Sequence, residues 1–377
     1  MYLFYEIVLT IKHKIHWGWI ILGVIVSYIL LYPIHLNNDF LVVFDRNFFV
    51  NGNLEYNCWP DQLSKASALF VNLPCPPEHL GCHAGNMAFR FTIPVLLNIF
   101  GFNGQSVYFF QVFLGLFFLY YIYSLAIRLS GDKLLAAGFL LCFISTNAGQ
   151  VVVYDFRGWG DAFSFMFLLF AVMSRRNVIQ FLLLQVAFWT DERSLVGGLG
   201  IALFWLCQSD EKILKEFSDW KSIRDFLFKN RQMLTLISSY VVYFAIRQYL
   251  TIFLGLHTPK EDANFSILTN YARLRTLIPI ILTHKFFLVY ISIGALYLIR
   301  IRAWLVLTAY LGFIVLYHLI AHMVYDTSRS MAFGYFIYFI AFGFTCRYLK
   351  DRDSQRLMYI GLIITILIFP LRHLIWQ

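Results

Sequence analysis

Acidic and basic residues stand side by side at a few places in an otherwise apolar chain. Tyr154-Asp155-Phe156-Arg157 is followed closely by Asp161, and Thr190-Asp191-Glu192-Arg193 sets three charges in a row. Tyr325-Asp326 precedes Arg329, and far upstream lie Asp39, Asp45 and Arg46. A carboxylate held near neutral pH can take the proton of an attacking hydroxyl. A guanidinium group binds phosphate through two parallel hydrogen bonds and stabilises negative charge on a leaving group. Both residue types, brought to one place, suit group transfer from a phosphate. Asp39 and Asp45 offer such a carboxylate. Arg46, Asp155, Arg157, Asp161, Asp191, Glu192, Arg193, Asp326 and Arg329 are the candidate substrate-binding set.

The elements that must position these residues are membrane helices. The chain is 60% hydrophobic and 19% aromatic, with only 14% charged residues and a mean hydropathy of +0.67. Soluble domains carry about 25% charged residues, so the bilayer must solvate most of this chain. The expected fold is all-α and polytopic, one transmembrane domain over 1–377 with about eleven spans. The apolar runs are Trp17–Ile34, Val107–Ile127, Leu134–Tyr154, Asp161–Met173, Val178–Thr190, Leu195–Gln208, Leu234–Leu256, Ile278–Ile299, Ala303–Tyr325, Met331–Tyr348 and Leu357–Leu371. Several are short for a span of about 20 residues; these must be buried in the bundle or extended by polar ends. Trp17–Ile34 lacks a small-residue cleavage site after it and reads as a retained helix.

Residues 35–103 form a long first loop, and loops of such length are usually functional. Within it, Met87–Phe102 is apolar but opened by Arg90 and broken by Pro94, and it reads as an interfacial or re-entrant helix. Eleven spans with a cytoplasmic N-terminus put the basic turns, including Arg175-Arg176 and the basic loop 209–232, in the cytosol. The candidate site residues then all fall outside, several of them directly at helix ends. Ionisable groups at membrane depth are expensive and line cavities, so the clusters describe an outward polar cavity. Lys260–Asp262 reads as an ordinary exposed loop.

The net charge of +9 is topological. Its basic residues sit at helix ends and not on one groove-like face, which excludes nucleic acid as a partner. Cys58, Cys75 and Cys82 share the outer loop, where one disulfide plus one thiol is favoured over a zinc site. Cys142, Cys207 and Cys346 lie in apolar runs as small hydrophobes. His318 and His322 are four apart and read as satisfied pocket residues. Asn264-Phe-Ser266 is a weak glycosylation sequon. No Walker loop or dinucleotide fingerprint is present.

The layout resembles the GT-C glycosyltransferases: a basic N-terminus, one helix, then a long outer loop with an early aspartate. Arg90-Phe-Thr-Ile-Pro-Val-Leu-Leu-Asn-Ile-Phe-Gly resembles the re-entry helix of that family. Tyr120 to Lys133 resembles its second helix and short inner turn, and Gly158-Trp-Gly-Asp161 opens the partner helix as in that family. The likeness covers roughly the first 200 residues. It implies sugar transfer from a polyprenyl-phosphate donor on the outer face, with inverting stereochemistry. It places the catalytic aspartate at Asp39, with Asp45 second, although Asn37-Asn38-Asp39 departs from the paired acids of many members. The expected partners are a lipid-linked sugar donor, a glycan, lipid or protein acceptor, and membrane lipids. A divalent cation is the one cofactor left open, and the expected location is a bacterial inner membrane. The alternative from another class is a transporter or flippase of a lipid-linked saccharide; against it stand the absence of an internal repeat and the one-sided acidic clusters.

Overall fold

The computed structural model describes residues 44–45, 47–51, 57–73, 87–144, 146–217, 220–257, 280, 283–322 and 327–349. Trp17–Ile34, Leu357–Leu371, Asp39, Arg46, Asp326, Cys75, Cys82, Lys260–Asp262 and Asn264 lie outside them. Every regular element among the described residues is helical. In chain order these are α1 Phe48–Asn51, α2 Trp59–Ser67, α3 Thr92–Ile99, α4 Gly104–Ser130, α5 Lys133–Ile144, α6 Asn147–Tyr154, α7 Asp161–Met173 and α8 Asn177–Thr190. Then follow α9 Ser194–Cys207, α10 Glu211–Glu216, α11 Trp220–Lys229, α12 Arg231–Leu254, α13 Phe287–Arg300, α14 Trp304–His322, α15 Thr327–Ala332 and α16 Phe336–Tyr348.

The protein is an α-helical membrane protein, and its helices differ in how far they are enclosed. Three are long and apolar enough to cross a bilayer: Gly104–Ser130, Arg231–Leu254 and Trp304–Ala321. These form an outer wall. Phe113 and Phe117 of α4, Val241 and Phe253 of α12, and Val315 and Leu319 of α14 are exposed large hydrophobics, as a lipid solvent requires. The shorter apolar helices α7, α9 and α16 are inside. In α16 every residue from Phe336 to Thr345 is buried. A 13- or 14-residue helix is only about 20 Å long at 1.5 Å per residue, less than the roughly 30 Å hydrocarbon layer. Enclosure by longer neighbours removes the mismatch. Helix α9 is closely packed: a Cβ at Gly197 would stand 2.5 Å from Leu168 of α7, and one at Gly200 2.9 Å from Phe313 of α14.

Most expected runs match a helix, and α7 matches at both ends. Two runs are divided. Leu134–Tyr154 splits into α5 and α6, because the Thr146 hydroxyl donates to Phe143 O at 2.6 Å and accepts from Gly149 N at 3.4 Å, capping a new start. Met331–Tyr348 is interrupted by a turn between α15 and α16. The helix expected within Met87–Phe102 is α3, with Pro94 in its first turn, where no intrahelical donor is lost. The loop 209–232 contains α10 and α11.

The loops gather at two opposite ends. At one, Arg128 donates to Met173 Sδ at 2.6 Å and Arg347 reaches Ser209 O at 3.1 Å. At the other, Phe91 N donates to Trp189 O at 2.8 Å, and Asn72 Nδ2 to Gly255 O at 2.9 Å. This second end carries Asp155, Asp161, Asp191 and Glu192.

Candidate functional site: a carboxylate–guanidinium cluster at one end of the bundle

The turn between α6 and α7 is built around Asp155. Its Oδ1 accepts from Trp159 N at 2.7 Å, and its Oδ2 from Gly160 N at 2.8 Å and Ala162 N at 3.2 Å. The carboxylate thus satisfies orphan N–H groups at the start of α7, the usual task of a helix cap. Asp155 is fully buried. Burial first, and the nearby Asp161 second, push it up to about 7, against the opposing pull of Arg329 and the backbone donors.

Onto this turn the first long loop is stitched by three successive carbonyls. Trp59 Nε1 donates to Phe156 O at 2.6 Å, Cys58 N to Arg157 O at 2.8 Å, and Gln62 Nε2 to Gly158 O at 2.9 Å. Gly158 has φ +77°, and a Cβ there would meet the Trp59 ring at 2.9 Å, so both its conformation and its neighbour require glycine. Helix α1 joins the same assembly through Phe48 against Phe156 at 6.1 Å and Phe49 against Trp59 at 5.3 Å. Asp45 is exposed just before α1, and its Oδ1 accepts from Asn47 N at 2.9 Å. Asp45 and Arg157 therefore stand on adjoining segments.

Behind the turn lies the ion-pair cluster. Arg193, from the turn between α8 and α9, donates through Nε to Asp191 Oδ1 at 2.9 Å and through Nη2 to Asp191 Oδ2 at 2.8 Å. The same Nη2 reaches Asp161 Oδ1 at 3.0 Å, and Nη1 donates to the Ser330 hydroxyl at 2.9 Å. Arg329 Nε meets the other oxygen of Asp161 at 2.6 Å. Arg90 Nη2 meets Asp191 Oδ2 at 2.9 Å, with Glu192 3.9 Å from its Nε. Asp161 and Asp191 are both fully buried. Burial opposes the charge of Asp191, and the guanidinium groups of Arg193 and Arg90 overcome it, holding its carboxyl well below the usual range.

The structure thus brings Asp155, Arg157, Asp161, Asp191, Glu192, Arg193 and Arg329 to one end of the bundle. The residues sequence reading left out are Arg90, Trp59, Gln62, Trp159 and Ser330. Only Arg90 carried a signal, as the charge that opens an apolar stretch. Arg329 stacks over the Trp159 ring at 3.9 Å, and Arg193 lies over Phe333 at 4.9 Å. Arg157 differs from its neighbours. It lies over Phe156 and Trp159 at 5.6 and 5.7 Å, its Nε is buried without a hydrogen-bond partner, and no carboxylate ion-pairs with it among the described residues. Lys65 of α2 is buried as well, donating to Val71 O at 2.9 Å, and its burial lowers it to about 8.

A second polar chain joins the segment just before α13 to α14 and α16. His284 Nδ1 is 2.8 Å from the Tyr338 hydroxyl, His284 Nε2 is 3.1 Å from His318 Nε2, and His318 Nδ1 is 2.7 Å from Ile314 O. The carbonyl can only accept, so His318 carries its proton on Nδ1 and accepts at Nε2. His284 must then donate from Nε2 and accept at Nδ1 from Tyr338. His318 is thereby satisfied by a partner 34 residues away; the side chain of His322 lies outside the described residues. Among the described residues no three His, Cys, Asp or Glu side chains gather as metal ligands.

Comparison with known proteins adds no relative: no family description, no curated protein and no solved structure matches the chain.

Proposed function

We propose that the protein is a membrane glycosyltransferase, moving a sugar from a lipid-phosphate donor to an acceptor at the end of the bundle that carries the acidic residues. The observation that carries this reading is Arg157. It stands on the turn that receives the first long loop, beside Asp45's segment, and its Nε has no hydrogen-bond partner among the described residues. Arg193, Arg329 and Arg90 have their charge answered by carboxylates of the protein. Among the described arginines at this end of the bundle, Arg157 has no carboxylate ion-paired with it, and its charge is available to a phosphate. In this reading the ion-pair cluster is a rigid floor, Arg157 holds the donor phosphate, and Asp39 or Asp45 takes the acceptor proton.

The test is turnover and donor binding on one purified protein with Asp39→Asn, Asp45→Asn and Arg157→Gln. Loss of the base should cut transfer by about 10²–10⁴-fold and leave donor binding intact. Arg157→Gln should weaken donor binding. Full turnover in both Asn variants would remove the catalytic role from these carboxylates. Movement of an intact lipid-linked saccharide across the bilayer, with no covalent product, would make the protein a flippase instead.

A further inference from the structure

At the end of the bundle opposite the acidic cluster, a cavity of about 630 Å³ opens between the start of α8 and the start of α12. Arg175, Arg176, Asn177, Val178, Ile179 and Arg231 line it. All three arginines are exposed, and among the described residues no carboxylate forms an ion pair with any of them. A fourth guanidinium, Arg128, is close by, held against Met173 two residues before Arg175. Elsewhere at this end charges are neutralised locally: Lys215 pairs with Glu211 at 2.8 Å and Lys229 with Asp225 at 2.7 Å. Among the described residues, then, the arginines around the cavity are left mutually repelling, with no carboxylate ion-paired to any of them.

The rest of the lining is apolar. Val178 is 72% exposed and Ile179 43% exposed, continuing the bilayer-facing side of α8 towards Leu182, which is 55% exposed. A positive cup that runs directly into a lipid-facing apolar strip matches one kind of molecule, a negatively charged headgroup with acyl chains attached. A soluble anion would use the cup and leave the strip in contact with bulk lipid.

We propose that this cavity is a binding site for an anionic phospholipid, its phosphate between Arg175, Arg176 and Arg231 and its chains along Val178, Ile179 and Leu182. The site is separate from the proposed transfer site and does not depend on it.

The experiment uses the delipidated full-length chain in zwitterionic micelles. Binding of phosphatidylglycerol is measured by native mass spectrometry and by the thermal shift it causes, with phosphatidylcholine and inorganic phosphate as parallel arms. Phosphatidylglycerol should bind and raise the melting temperature of the natural chain, and the other two should not. The triple variant Arg175→Gln, Arg176→Gln, Arg231→Gln should bind it roughly a hundredfold more weakly. Lys215→Gln, at the same end but outside the cavity, should bind it normally. Should the triple variant fail to fold, Arg231→Gln alone should still lower affinity several-fold. Equal stabilisation by phosphatidylcholine, or an unchanged response in the arginine variants, overturns the proposal. An equal effect of inorganic phosphate reduces the site to a free-anion site and overturns it too.

Discussion

Asp161 and Arg329 meet at 2.6 Å although 168 residues separate them in the chain. The contact pins the start of α7 to α15, and Arg193 takes the other oxygen of the same carboxylate. One buried carboxylate thus ties three segments that come from distant parts of the sequence.

Removing one member should cost far more than its exposure suggests. Arg193→Ala leaves Asp161 short of one partner and Asp191 short of its bidentate one, and breaking a buried pair costs about 3–5 kcal/mol. Thermal unfolding in detergent should show a large loss for Arg193→Ala, with partial recovery when Asp191→Asn is added. Arg193→Lys should recover little, because a point charge cannot reach Asp191, Asp161 and Ser330 at once. An Arg193→Ala protein of unchanged melting temperature would remove this cross-linking role.

The two buried aspartates should act in different pH windows. Asp191 is held below its ordinary value, so its stabilisation is present above about pH 4 and lost as the pH falls below that. Asp155 is raised from 3.8 to about 7. Its contribution is complete below about pH 4, declines as the pH climbs towards 7, and is absent above. Melting temperature measured from pH 4 to 8 should therefore carry a downward component that is missing in Asp155→Asn. A pH profile identical in shape for both proteins would contradict it.

Gly158→Ala should unseat the first loop. The new methyl group must enter a left-handed conformation and press on the Trp59 ring, a strain of about 1–3 kcal/mol. Trp59 then has to move away from Phe156 O, which should shift tryptophan emission and expose Cys58 to thiol reagents. Unchanged emission and unchanged thiol reactivity would mean the turn has room that its geometry does not show.

The imidazole chain makes a spectroscopic prediction. Nitrogen chemical shifts of ¹⁵N-histidine-labelled protein should show His284 protonated at Nε2 and His318 at Nδ1. Tyr338→Phe removes the donor to His284 Nδ1 and should perturb the His284 signals more than those of His318. The opposite tautomers would reverse the direction of every hydrogen bond in the chain.

Much of this was legible in the residues themselves. Asp161–Met173 stands out because an acid opens it and a polar turn closes it, and the acidic residues sit at helix ends at a spacing any reading of the sequence can follow. What sequence could not supply was partnership. Nothing local distinguishes Arg157, with its idle Nε, from Arg193, whose donors are all engaged, because the partners come from segments far away in the chain. The break at Thr146 was readable in principle, since Ser145-Thr146-Asn147 is a run of capping residues inside an apolar stretch. Long apolar periodicity outweighed it. Which aspartate serves the protein's own architecture and which serves a substrate depends on burial: Asp155 is enclosed and Asp45 is exposed.

The seam between the first loop and the turn after α6 also sets an order of events during synthesis. Trp59, Cys58 and Gln62 emerge about a hundred residues before the carbonyls of Phe156, Arg157 and Gly158 that receive them. A nascent chain elongating at roughly 5–20 residues per second leaves that loop waiting for several seconds, and Asp161 waits longer still for Arg329. Through that interval the half-built bundle holds an acid without its full complement of base.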